Sequence, residues 1–250
     1  MSIPIAKKPK TAPVEDFANL SRKRLEEMAE AAEMVIDSHR VLAKTGDNIV
    51  GELLRDVETF FEWDHFPDGD IFDPETHSQF YYHAHAAGER EGEHGHFHTF
   101  LRPAGMPKGV KPAPLADYEE PEDPDDNLSH LIAISMDGHG VPIKIFTVNR
   151  WVTGDVWYTA KDVIKMLKIF EIDIAHPSWP VNRWVSGMVH LFRPQIERLL
   201  IERDKIVADW AKAHPDSNVY KDQDLELISE IPISIDDQYK AVTKALRKAK

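Results

Sequence analysis

The chain has 250 residues, 42% hydrophobic and 29% charged, the balance of a globular protein long enough to bury a substantial core. Its 43 acidic and 30 basic residues give a formal charge of −13, a field that repels phosphate backbones and excludes nucleic acid as an expected partner. Cysteine is absent, which rules out disulfides, iron–sulfur clusters and thiolate-bound zinc, so any metal must be held by imidazole or carboxylate.

Residues 1–12 carry basic side chains with no apolar run behind them, so they read as a flexible tail and not as a secretory signal. No stretch approaches the roughly 20 apolar residues that a membrane span needs, so a membrane partner is not expected and the cytoplasm is the default location. From Pro13 to about Lys44, apolar residues such as Phe17, Leu25, Met28, Ala32, Val35 and Leu42 recur at helical spacing, and Gly46 fits the stop. Asp47 is placed to cap a second helix running to about Trp63, which the segment from His65 to Asp70, with Pro67 and Asp68-Gly69, then breaks. Gln79–His85 and His94–Leu101 alternate and are rich in aromatics, so they read as two strands of a hairpin.

Residues 103–126 hold six prolines and turn acidic, a composition that suggests a mobile lid or insertion. His130–Asp137 and Val141–Val152 read as a second hairpin around Gly138-His139-Gly140. Thr159 with Asp162 resembles a capping box opening a helix to about Phe170, and 180–214 is helical in pattern with a break expected at Pro194. The last 35 residues are mixed and end in a basic amphipathic segment, Tyr239–Lys250. These elements predict an α+β fold, a small antiparallel sheet of about four strands packed by helices from both ends of the chain. A single domain is expected over 13–220, with 221–250 as an extension.

One heptapeptide occurs twice. Val148-Asn149-Arg150-Trp151-Val152-Thr153-Gly154 returns as Val181-Asn182-Arg183-Trp184-Val185-Ser186-Gly187, identical at six of seven positions. The repeat is either chance or a pair of anion-binding forks built on Arg150 and Arg183.

The histidines carry the strongest chemical signal. On a strand, alternate side chains share a face, so His83 and His85 point one way with Tyr81, and His94, His96 and His98 share a face of the partner strand. Phe80, Tyr82, Phe97 and Leu101 lie on the opposite faces and suit a core, which brings both histidine rows to one side of the hairpin. With Glu89, Glu91 and Glu93 in the connecting loop, this set predicts a metal site whose ligands come from His83, His85, Glu89, His94, His96 and His98. Tyr81 is placed to hydrogen-bond a bound oxygen ligand. His130 could face the same site, although a hydrogen-bonded strand-end histidine is the simpler expectation.

Two short stretches resemble known families. His83-Ala84-His85-Ala86-Ala87-Gly88-Glu89 is similar to the metal motif of cupins, whose two histidines and glutamate hold iron, manganese or other divalent ions. His94-Gly95-His96-Phe97-His98-Thr99-Phe100 is similar to the signature of histidine-triad nucleotide hydrolases and transferases, and that resemblance implies a nucleophilic His96. Each covers seven residues. Together these readings lead to a metalloenzyme acting on a small organic substrate, with a divalent ion, iron ahead of zinc or manganese, and an oxidoreductase ahead of a hydrolase. The alternatives are phosphorus chemistry at His96 and a non-catalytic metal-binding or storage protein. Self-association into a homo-oligomer is left open.

Overall fold

The computed structural model describes residues 17–86, 88–116 and 118–249; the expected tail and the first residues of the expected opening helix lie outside them. Helix α1 spans Arg22–Ala43, with the Ser21 hydroxyl accepting from the Arg24 amide as its N-cap. It buries Leu25, Met28, Ala32, Val35 and Leu42, the residues whose spacing marked it. Helix α2 is shorter than expected, Ile49–Leu53, capped by Asn48 and not by Asp47. The aromatic residues beyond it serve the sheet instead: Phe60 stacks on Phe66 at 4.7 Å, and the Trp63 amide donates to the Ala84 carbonyl.

Six antiparallel strands lie in sequence order: β1 (Phe66–Phe72), β2 (Ser78–His83), β3 (Gly95–Leu101), β4 (Ser129–Met136), β5 (Pro142–Val148) and β6 (Leu227–Pro232). The α+β expectation therefore holds, but with six strands instead of about four. Strand β1 was concealed by its own turn residues. Gly69 and Asp70 adopt left-handed φ of 82° and 58°, and the β1–β2 ladder loses register between Phe66 and Ile71. Strand β6 returns to pair with β5 after a long helical excursion.

The two sheet faces differ in chemistry. Phe80, Tyr82, Phe97, Leu101, Ile132, Ile134, Met136 and Ile145 join the main core with residues of α1 and of two later helices, α5 (Trp179–Leu191) and α6 (Arg193–Ala213). The opposite face carries Tyr81, His83, His96, His98, Ser135 and Phe146, all buried. Between β5 and α5 lie α3 (Arg150–Thr153) and α4 (Ala160–Met166). The expected break near Pro194 falls at Phe192, where α5 ends and α6 begins. Thr159 stands at the N-cap of α4 without a capping hydrogen bond from its side chain. The chain ends in α7 (Ile235–Lys248).

The proline-rich segment is irregular yet anchored. The Ala113 amide donates to the Trp157 carbonyl at 2.8 Å, Ala113 and Leu115 pack with Trp157, Val207 and Ile228, and Arg102 pairs with Asp125 near the segment's far end. The few apolar residues of an otherwise polar stretch tie it to a second core.

The repeated heptapeptide uses its asparagine alike in both copies. Asn149 donates its amide to the carbonyls of Val219 and Leu225, and Asn182 to those of Ile174 and His176, each contact being 2.8–2.9 Å. Each copy thus fastens a loop to the start of a helix. The glycines serve different ends: Gly154 closes α3 at φ 66°, whereas a Cβ on Gly187 would stand 2.8 Å from Val35 Cγ2 of α1.

Candidate metal centre

The register of β2 against β3 sets Tyr81 opposite His98 and His83 opposite His96, so imidazoles from neighbouring strands meet side by side. His83 Nε2 lies 2.7 Å from His96 Nε2, which lies 3.0 Å from His98 Nε2. His85, just beyond the end of β2, brings its ring to 5.2 Å from those of both His83 and His96. One nitrogen from each of His83, His85 and His96 falls within 4.8 Å of the others, a group able to hold a metal ion. Ligands bound cis at about 2.1 Å are themselves about 3.0–3.4 Å apart, so a small outward shift of these rings would admit an ion.

Burial keeps His83, His96 and His98 neutral. Desolvation, reinforced by His96 and His85, pushes the His83 pKa down to about 2. At His96 desolvation outweighs the opposing Glu93 carboxylate and leaves a value of about 4, and fully buried His98 is held well below the usual range by burial and by its histidine neighbours. Neutral imidazole is the form that ligates metal.

Glu93 assigns the tautomer. Its carboxylate is 2.7 Å from His96 Nδ1 and also accepts from the Ser135 hydroxyl. Burial opposes its ionisation, but the His96 hydrogen bond, with Ser135 and Arg90, holds Glu93 below its ordinary pKa. An ionised carboxylate can only accept, so His96 carries its proton on Nδ1 and turns the lone pair of Nε2 towards His83 and His98. A carboxylate behind a ligating histidine is how metal sites fix imidazole orientation.

The other expected site residues scatter. Glu89 is half exposed and accepts from His85 Nδ1 at 3.2 Å. His94 is not brought to the cluster: its Nδ1 lies 2.6 Å from the Tyr82 hydroxyl, and its ring sits near Phe60. Tyr82 belongs to the helix-packed face, and it draws His94 away from the alternation that the strand pattern implies. Tyr81 is buried on the histidine face, 5.1 Å from the His98 ring and stacked on His65 at 3.6 Å, with burial pushing its phenol pKa up. Arg150 lies over the Tyr220 ring and Arg183 over Trp179, on separate helices, so the structure does not gather them as paired forks at the histidines.

Four residues outside the expected ligand set join or flank the site. Glu93 precedes His96 by three residues, and only the loop's return shows that it, among the loop carboxylates, is the buried one. His130 arrives through a bulge. Thr99 pairs with Ile132 but Phe100 pairs with His130, which leaves Leu131 as the extra residue and moves His130 off the Ile132 face. His130 Nε2 then lies 3.0 Å from His98 Nδ1, while its backbone amide donates to Asp155, whose carboxyl burial pushes up to about 6. His65 flanks the cluster from β1's side, held by Asp70 at 2.9 Å, with Gln79 and Arg102 aligned behind it. Trp63, more than half exposed, meets the His85 ring edge-on at 4.2 Å.

No helix among the described residues is long and apolar enough to cross a membrane. No curated protein and no solved structure matches the chain. A family model does match, over residues 29–233, a span that takes in most of α1, all six strands and the whole histidine cluster. The chain belongs to the family defined by that model, a domain of unknown function (DUF6969).

Proposed function

We propose that this protein is a metalloenzyme whose divalent ion is held by His83, His85 and His96 and which acts on a small organic substrate at the open side of that site. The observation that carries the reading is the convergence of imidazole nitrogens from His83, His85 and His96, the first and last of them buried, with Glu93 orienting His96 from behind. His98 stands next to this set as a further nitrogen donor. Three imidazole ligands bring no negative charge of their own to an ion and leave coordination positions open, a combination suited to binding and polarising a substrate. Iron is the favoured ion and oxidoreduction the favoured chemistry. The support is the thiol-free, imidazole-rich donor set and the aromatic surroundings, Trp63, Tyr81 and Phe146, which suit an organic substrate.

The nucleotide-phosphorus reading has less behind it. A nucleophilic His96 would need to present Nε2 to phosphorus, whereas that atom faces two other imidazoles and the ring is fully buried.

The test is metal analysis of untagged protein, wild type and His83→Ala/His96→Ala. Wild type is expected to carry close to one equivalent of metal, with iron dominant, and the double variant to carry almost none. Full occupancy in the double variant would refute the site. Zinc in place of iron, retained after aerobic and anaerobic expression, would refute the redox assignment and leave the site standing.

A further inference from the structure

Beside the histidines is a cation that the ligand set does not use. Arg90 sits in the loop between β2 and β3, and its guanidinium lies 5.2 Å over the Phe146 ring, whose other contacts include His96 at 5.1 Å and His98 at 6.4 Å. Arg90 and the imidazoles therefore share one aromatic floor. Two of its three nitrogens have anionic neighbours. Nη2 pairs with Glu226 of the sheet edge, and Nε lies 3.9 Å from Glu93 Oε1, the oxygen that orients His96. Nη1 is shielded from solvent and, among the described residues, has no hydrogen-bond partner.

A buried guanidinium N–H without an acceptor is costly, and native proteins rarely leave one unless a ligand, ion or water completes it. We propose that Arg90 is a substrate-binding residue, and that the substrate of the histidine centre is an organic carboxylate whose anionic end is taken by Arg90 Nη1. This rests on the metal-centre reading for the reacting end of the molecule, but not for the anionic end.

The chemistry fits in three respects. An ion held by imidazoles, together with Arg90, adds positive charge that Glu93 and Glu226 offset only in part; a carboxylate lowers that excess. Arginine presents N–H groups in a planar fork that matches a carboxylate. The guanidinium is already held in place by Glu226 and Phe146, so little rotamer freedom remains to be lost on binding. Access to Nη1 requires the loop to yield slightly. Gly88 and Gly92, at φ of 93° and 77°, bracket Arg90 at the positions where the backbone can turn most freely.

The experiment compares acetate, butyrate and benzoate with acetamide, butyramide and benzamide by thermal shift. Each is tested on chelator-treated and on metal-reloaded protein, for wild type, Arg90→Gln and Arg90→Lys. At least one carboxylate is expected to raise the wild-type Tm by about 3–5 °C at a concentration ten times its Kd. Its amide should not, the response should vanish in Arg90→Gln, and Arg90→Lys should keep part of it. Metal content should be the same in all three proteins. An equal response to acid and amide, an undiminished response in Arg90→Gln, or no response of wild type to any of the carboxylates would each overturn the assignment. If Arg90→Gln does not fold, the acid-versus-amide comparison on wild type and Arg90→Lys still decides it. A carboxylate response that needs Arg90 in a protein that binds no metal would sustain Arg90 and refute the metal centre; stoichiometric metal without that response would do the reverse.

Discussion

Lowering the pH should unfold the metal-free protein unusually early, by an amount that follows from its buried imidazoles. His83, His96 and His130 have pKa values near 2, 4 and 3 in the folded protein, and His98 is held well below the ordinary value, burial being the first cause in each case. In the unfolded chain each returns to about 6.5, so between pH 7 and 5 protons bind the unfolded state and not the folded one. Depressed folded values mean that this stability is present above about pH 6.5 and is lost as the pH falls. His83, His96 and His130 each forfeit about 2 kcal/mol by pH 5, together about 6 kcal/mol, and His98 adds to the loss in the same direction. Asp155 works in the opposite direction. Its value is raised to about 6, chiefly by burial, so its ionised form is penalised at neutral pH. Protonation on going to pH 5 returns about 1 kcal/mol. The net loss, roughly 5 kcal/mol before the contribution of His98, is comparable with the whole stability of a typical domain, about 5–15 kcal/mol. Urea titrations of chelator-treated protein at pH 7, 6, 5.5 and 5, followed by tryptophan fluorescence, measure it directly. A loss below about 2 kcal/mol over that range, one histidine's worth, would refute the neutral, buried cluster.

Three further outcomes are expected. Glu93→Gln should weaken metal binding by about ten- to a hundredfold in a chelator competition, because the neutral amide no longer enforces the His96 tautomer; unchanged affinity would deny Glu93 its orienting role. His94→Ala should leave metal content intact but lower stability by about 1 kcal/mol, since the buried Tyr82 hydroxyl loses its exposed imidazole partner; loss of metal instead would return His94 to the ligand set. Gly187→Ala should destabilise by about 1–3 kcal/mol in urea unfolding, as its Cβ would meet Val35 and the Ala31 carbonyl across the α1–α5 contact, and a neutral result would show that the helices can separate without penalty.

The sequence by itself carries everything that depends on local periodicity. Apolar spacing marked α1 and the pair α5 and α6, and two-residue alternation marked β2 and β3 and separated a histidine face from an aromatic core face. That much placed His83, His96 and His98 together, because the side-chain period of a strand is a property of the backbone alone. Where a turn residue stands inside an element the local signal fails: Gly69 and Asp70 look like the end of structure and instead sit within β1, whose pairing with β2 outweighs their turn preference.

Within the site, tertiary contacts decided the membership. His94 has the right parity but a better partner in Tyr82. His130 shares the parity of Ile132, a core residue, and reaches His98 only because the bulge at Leu131 shifts its register against β3. Glu89 and Glu93 are equivalent loop carboxylates in sequence, and only the path of the loop buries Glu93 against His96 and leaves Glu89 half exposed. Arg150 and Arg183 share a heptapeptide, yet one copy follows β5 into α3 and the other lies within α5, so identical residues point to different surroundings. Spacing along the chain determines which way a side chain faces on a regular element; bulges, loop closure and competition among neighbours determine what it meets, and these depend on residues far away in the sequence.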